Sequence, residues 1–120
     1  MADVKIIECP RDAMQGLHAF IPTEIKAKYI NTLLKCGFDT IDFGSFVSPK
    51  AIPQMRDTAE VLSLLDLSTS SKLLAIIANE RGAEEAVHFQ EIDYWVTHFL
   101  FLKNFKNEIP MQLYLSRSVE

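Results

Sequence analysis

Arg11 and Asp12 stand side by side just after a short apolar run, and Asp42, Ser45 and Asn79 follow two later apolar runs. An arginine and an aspartate are costly to bury unless they pair or coordinate something. Taken alone, Arg11 and Asp12 fit two readings: they tie a loop to the rim of a sheet, or they belong to a site. A second carboxylate, Asp42, favours the site, because hard oxygen donors near one another suit a cation such as Mg²⁺. Ser45 and Asn79 fit contacts to a ligand at the rim, and equally fit loop and cap hydrogen bonds. Lys50 reads as a solvated side chain.

These residues need a scaffold that brings them to one edge. Val4 to Glu8 reads as a buried strand ended by Cys9-Pro10, and a polar loop runs from there to Pro22. Thr23 is a good N-cap with Glu24 in the first turn. Ile25, Tyr29, Ile30, Leu33 and Leu34 recur at helical spacing until Cys36-Gly37 closes the element. Thr40 to Phe43 is a second strand stopped by Gly44. A loop to Pro53 leads into a helix reaching Leu65, with Ala59, Leu62 and Leu65 facing inward. Lys72 to Ala78 is a third strand, apolar enough for a parallel sheet covered on both sides. A helix from Glu80 to Phe89 turns Ala83, Ala86 and Val87 inward, and a fourth strand starts at about Ile92. Strand and helix alternate without a hairpin signal, which predicts an α/β fold with parallel strands, either barrel or doubly wound layer. In both, sites lie at the carboxyl ends of the strands, where the polar residues above fall. No glycine-rich phosphate loop follows the first strand, so a dinucleotide site is not indicated.

The net charge of −4 argues against a nucleic-acid or membrane-surface binder. No apolar run is long enough to span a bilayer, and Met1-Ala2-Asp3 lacks the marks of a signal peptide. Cys9 and Cys36 make neither a disulfide framework nor a C-x-x-C site and read as packing residues, which predicts a cytoplasmic protein. His18, His88 and His98 stand alone.

Pro10-Arg11-Asp12-Ala13-Met14-Gln15 resembles the P-R-D-G-x-Q signature that follows the first strand of hydroxymethylglutaryl-CoA lyases. Ser45-Phe46-Val47-Ser48-Pro49-Lys50, followed by Pro53-Gln54-Met55 and Asp57, resembles a second and more specific hallmark of that family. Asn79 with Gly82 is a third, weaker match. The resemblance runs over residues 4 to 94 and implies the N-terminal part of a TIM (β/α)₈ barrel, with three to four βα units. It implies a carbon–carbon lyase that cleaves 3-hydroxy-3-methylglutaryl-CoA to acetyl-CoA and acetoacetate, the chemistry of leucine degradation and ketone-body formation. It also implies a divalent cation (Mg²⁺ or Mn²⁺) with Asp12 as a metal ligand, and Arg11 stabilising the enolate oxygen. Asp42 stands where the family has a glutamate, as a shorter carboxylate near the base or metal. Gln15, Ser45 and Asn79 would contact substrate. The partner implied is a small-molecule acyl-CoA, with no nucleic acid and no membrane, and the full-length family is expected to be homodimeric. Ala13 and Cys9 replace residues that are usually glycine around the motif. An acyl-CoA-condensing synthase of the same superfamily shares the Arg–Asp start, and a non-catalytic small domain is a third reading.

A complete (β/α)₈ barrel takes about 250 residues, so 120 residues hold less than half of one. The family's histidine metal ligands and its catalytic cysteine have no counterpart in the sequence, and no lyase activity is expected of this chain alone. From Trp95 the resemblance stops. Reverse translation of the following residues in a shifted frame permits a Ser-x-Ser-Glu-x-Phe segment like the family's continuation. Residues 1–94 therefore read as a partial lyase domain, and residues 95–120 as a tail translated out of frame. The competing reading is a divergent C-terminus, a helix bearing Phe99, Leu102 and Phe105.

Overall fold

The computed structural model describes residues 4 to 98 and 113 to 116. Five strands form a single sheet: β1 (Ile7–Glu8), β2 (Thr40–Ser45), β3 (Lys72–Ile76), β4 (Tyr94–His98) and β5 (Leu113–Ser116). They lie in sequence order and every neighbouring pair is parallel. A doubly wound sheet reverses its strand order at a switch point. Here no reversal occurs, and right-handed crossovers advancing in one direction carry their helices to one face, as in a barrel wall. The open sheet thus separates the two architectures that apolar patterning left together.

Among the described residues four helices lie between the strands: α1 (Pro10–Gln15), α2 (Thr23–Leu34), α3 (Thr58–Ser63) and α4 (Glu80–Ala86), with a 3₁₀ turn at Pro53–Met55. The core joins Ile30 and Leu34 of α2 to Ile41 and Phe43 of β2, Leu73 and Ala75 of β3, and Ala83 and Ala86 of α4. Side chains alternate along a strand, so Asp42 points to the face opposite Ile41 and Phe43.

Several expectations are corrected. Only Ile7 and Glu8 pair in β1, and Val4, Ile6 and Ile7 are exposed, because β1 has one neighbour instead of two. Cys9 and Cys36 are exposed rather than packed. The expected loop after Cys9 begins with α1, where Pro10 sits in the first helical turn with its φ already suited to a helix. Thr23 does not cap α2, whose N-cap is Pro22; its hydroxyl instead donates to Asp57 Oδ2 at 2.7 Å. The buried face of α2 is Lys26, Ala27, Ile30 and Leu34, while Ile25 and Tyr29 are exposed. Gly37 does take the left-handed conformation, φ 83°, that a helix-ending glycine allows. β2 continues through Gly44 to Ser45 with an irregularity between Asp42 and Gly44. Gly44 is admitted because a Cβ there would meet Thr58 Cγ2 at 2.5 Å. The helix expected from Pro53 to Leu65 is split into the 3₁₀ turn and α3, and Val87 of the expected inward set is exposed. The strand expected from about Ile92 starts at Tyr94 as β4 and pairs with β5; Phe99, Leu102 and Phe105 lie outside the described residues.

Candidate active site

The register of β1 on β2 sets Glu8 beside Ile41, so the chain beyond β1 arrives level with Asp42. Arg11, on the first turn of α1, turns back over that strand end. Its Nε lies 2.9 Å and 3.0 Å from the two oxygens of Asp42, and its Nη1 donates to Gln15 Oε1 at 2.7 Å. Arg11 and Gln15 are four residues apart and therefore share one face of α1. The guanidinium carries N–H donors on three nitrogens. Among the described residues Nε and one hydrogen of Nη1 find acceptors, and both hydrogens of Nη2 remain to donate to an oxyanion. The side chains of Arg11 and Asp42 are only 16% and 7% exposed, so the ion pair works in a medium less polar than water.

Burial raises the pKa of Asp42, and the attraction and hydrogen bond of Arg11 oppose this without overcoming it; Asp12 adds to the rise. Asp42 thus takes up a proton more readily than an exposed aspartate. Burial, then the neighbouring Asp42, also raises the Cys9 thiol, which disfavours the thiolate that a nucleophile needs.

The structure brings Arg11, Asp42 and Gln15 together and leaves the other sequence candidates apart. The partner of Arg11 is Asp42 and not its neighbour Asp12, which is exposed but near enough for its charge to act on Asp42. Ser45 is 2% exposed, and its Oγ accepts from Val47 N at 3.1 Å. Asn79 is the N-cap of α4, its side chain accepting from Gly82 N at 2.9 Å. Both make the local bonds that were the competing reading of these residues. Lys50, His18 and His88 are exposed.

A second polar cluster was not anticipated. Lys26 is 2% exposed, its Nζ lies 2.6 Å from Asp57 Oδ1, and it also donates to the carbonyl of Gln54. Gln54 accepts from Ile21 N at 2.8 Å and donates to Leu17 O and Ala19 O at 3.0 and 2.9 Å. Thr58 Oγ1 lies 3.2 Å from Ser45 N and 2.9 Å from both Ser45 O and Met55 O. The cluster fastens the loop after α1 to the turn after β2 and so fixes the ground on which Arg11 and Gln15 stand. One sign of it was present in the sequence: Lys26 falls in the apolar stripe of α2, where a lysine needs a buried partner.

A hard divalent cation gathers six or more oxygen ligands. Among the described residues no group of three or more His, Cys, Asp or Glu side chains is placed to hold a metal. The residues present therefore do not fit a complete metal site; Asp12 is one exposed carboxylate beside it. Among the described residues no helix is long and apolar enough to cross a membrane.

Comparison with known proteins agrees with this geometry. No family model matches the chain. A mitochondrial hydroxymethylglutaryl-CoA lyase of Rattus norvegicus is 40% identical over 85 residues, 70% of this chain and 26% of that protein. A hydroxymethylglutaryl-CoA lyase of Bacillus subtilis is 38% identical over 78 residues, 65% of this chain and 26% of that protein. Among solved structures, the Bacillus subtilis HMG-CoA lyase aligns with a TM-score of 0.79 and 28% identity, covering 93% of this chain and 46% of that one. An HMG-CoA lyase of Acinetobacter baumannii, solved with coenzyme A and 3-methylmalate, aligns with a TM-score of 0.73 and 33% identity, covering 85% of this chain and 35% of that one. The chain spans about a quarter of the length of the curated relatives it matches. Over that span the chain resembles these lyases in both sequence and fold, and its sheet is the corresponding part of their (β/α)₈ barrel.

Proposed function

We propose that residues 4 to 94 supply the first strands of a hydroxymethylglutaryl-CoA lyase active site, the site that cleaves 3-hydroxy-3-methylglutaryl-CoA to acetyl-CoA and acetoacetate. The observation that carries this is the Arg11–Asp42–Gln15 cluster at the strand ends of a sheet that aligns with lyase structures. Cleaving the bond between the two products leaves a negative oxygen on the departing enolate. A fixed guanidinium stabilises such an oxygen best when it need not reorganise. Asp42 and Gln15 hold Arg11 in place, so its free Nη2 hydrogens wait at the strand edge. Asp42 is thereby a positioning residue, and its raised pKa lets it share a proton with the groups around it. Asp12 would give one ligand to a divalent cation whose other ligands are not among the described residues, and no step is assigned to that cation. Coenzyme A in the Acinetobacter baumannii complex supports an acyl-CoA as the partner. A cytoplasmic location is proposed with support from a cytoplasmic 3-hydroxy-3-methylglutaryl-CoA lyase of Rattus norvegicus, 38% identical over 85 residues. A homodimer would follow from the family alone.

We also propose that residues 95–120 arise from out-of-frame translation. Trp95 and Thr97 support this: both are buried in β4, and among the described residues Trp95 Nε1 and Thr97 Oγ1 find no hydrogen-bond partner, a lack otherwise shared by Thr69 Oγ1 in the half-buried loop before β3. Interiors shaped by selection rarely leave such groups unpaired. The coding DNA decides this point. One base restored near the Tyr94 codon should reopen a lyase-like frame, and failure to do so refutes it.

The enzymatic reading is tested by a chimera. Residues 4 to 94 replace the matching segment of the Bacillus subtilis lyase, and acetoacetate release is assayed with Mg²⁺ or Mn²⁺. Metal-dependent turnover is expected; a folded chimera without turnover refutes the reading.

A further inference from the structure

We propose that the cleft between the loop of residues 16 to 20 and the turn at Pro53–Met55 binds a small organic oxyanion, a carboxylate or a phosphate on an apolar body. The cleft has a volume of about 270 Å³. Its wall is made by Gln15, Leu17, His18, Phe20, Gln54 and Arg56 among others, and no Asp or Glu is among its described lining residues. That is notable in a chain of net charge −4.

The side chains of this wall have donors left over. Arg11 can only donate, so the Gln15 atom that it meets at 2.7 Å must be the carbonyl oxygen, and the Gln15 NH₂ remains to be used. Gln54 is spent: its oxygen accepts from Ile21 N and its nitrogen donates to Leu17 O and Ala19 O. It holds the wall in shape and offers no further donor. Arg56 lies with its Cζ 3.7 Å from the centroid of the Phe20 ring. The ion pairs of the described residues are Arg11–Asp42 and Lys26–Asp57, so Arg56 makes no ion pair among them; Glu85, which shares the neighbouring cleft with Arg56, stays outside ion-pair distance. This cation–π contact holds the guanidinium at the cleft wall. Exposed His18 adds at least one N–H in either protonation state. A guanidinium cation, an amide NH₂ and an imidazole N–H with no carboxylate beside them on the wall select an oxyanion, and Leu17 and Phe20 provide the apolar contact for its body. Gln15 joins this cleft to Arg11, yet the inference stands on the lining alone and does not require lyase chemistry.

The test is a titration of the ¹⁵N-labelled full chain with inorganic phosphate in one arm and glutarate in the other, following the Gln15 side-chain amide and the Arg56 Nε–H. Saturable shifts at both groups are expected. Tighter binding of glutarate identifies a carboxylate ligand, and tighter binding of phosphate identifies a phosphate ligand; either supports the site. Arg56→Ala should weaken binding about tenfold or more, and Arg56→Lys less, because it keeps the charge and loses the fork. His18→Ala, at a second exposed residue, should weaken it as well and decides the matter if Arg56→Ala fails to fold. The absence of saturable shifts in both arms overturns the proposal. So does binding to Arg56→Ala, or to His18→Ala if that variant must decide, that equals the original chain.

Discussion

The ground beneath α1 and the strand β4 are both buried, and they treat their polar groups in opposite ways. Around the turn at Pro53–Met55, Gln54 uses its side chain in three hydrogen bonds, Thr58 Oγ1 meets three backbone groups, and Lys26 faces Asp57. In β4, Trp95 is 0% and Thr97 2% exposed, and among the described residues Trp95 Nε1 and Thr97 Oγ1 have no partner. An orphaned buried polar atom costs about 1–3 kcal/mol, whereas one in a saturated network contributes. The first region looks adjusted residue by residue to its neighbours. The second has apolar bulk in the right place without that adjustment, which is what the proposed out-of-frame origin of residues 95–120 would produce.

Substitutions can break or sharpen this contrast. The largest effect is expected at the buried ion pair. Lys26→Met leaves Asp57 charged and unpaired, and should cost about 3–5 kcal/mol in urea unfolding. A loss below about 1 kcal/mol would mean that water reaches Asp57 and that the pair is not buried in solution. Gln54→Ala should cost less, about 1–3 kcal/mol, since it orphans Ile21 N and the carbonyls of Leu17 and Ala19. Hydrogen exchange would show it locally: the Ile21 amide should exchange faster while amides of β3 change little. Thr97→Val reverses the sign. Removing an unpaired hydroxyl at nearly constant shape should stabilise the chain by about 1 kcal/mol, and destabilisation would show that Thr97 has a partner in solution.

The smallest effect concerns pH. Because burial raises the Asp42 pKa, the folded chain holds that proton to a higher pH than the unfolded chain does. Its contribution to stability is therefore full below the unfolded value, about 3.9, and is lost as pH rises through the raised folded value. Asp42→Asn does not titrate. Urea unfolding from pH 3 upward should show the original chain losing stability relative to this variant across that window. The opposite slope would mean that Arg11 outweighs burial.

Much of this was legible in the residues. The alternation of strands and helices predicts the parallel sheet, and Arg11 and Asp42, both read as strand-end residues, meet at one edge with Gln15 beside them. Other features were hidden because they depend on tertiary partners. Asp12 is adjacent to Arg11 in sequence, but helical geometry in α1 directs the two apart and gives Arg11 to a residue 31 positions away. Thr23 has the composition of a cap, yet Asp57 takes its hydroxyl. α1 is only six residues long, too short for apolar periodicity to reveal. Val4, Ile6 and Ile7 have the composition of a buried strand, but burial needs a second neighbour that composition cannot supply.

The central claim is that Arg11 is held ready for a developing negative oxygen, and the chimera with the Bacillus subtilis lyase tests it most directly. Arg11→Met in that chimera should lower kcat about 10²–10³-fold with KM little changed, because the contact strengthens only as the enolate forms. An unchanged kcat, or a loss confined to KM, would contradict the account and return Arg11 to the role of a tie between α1 and β2.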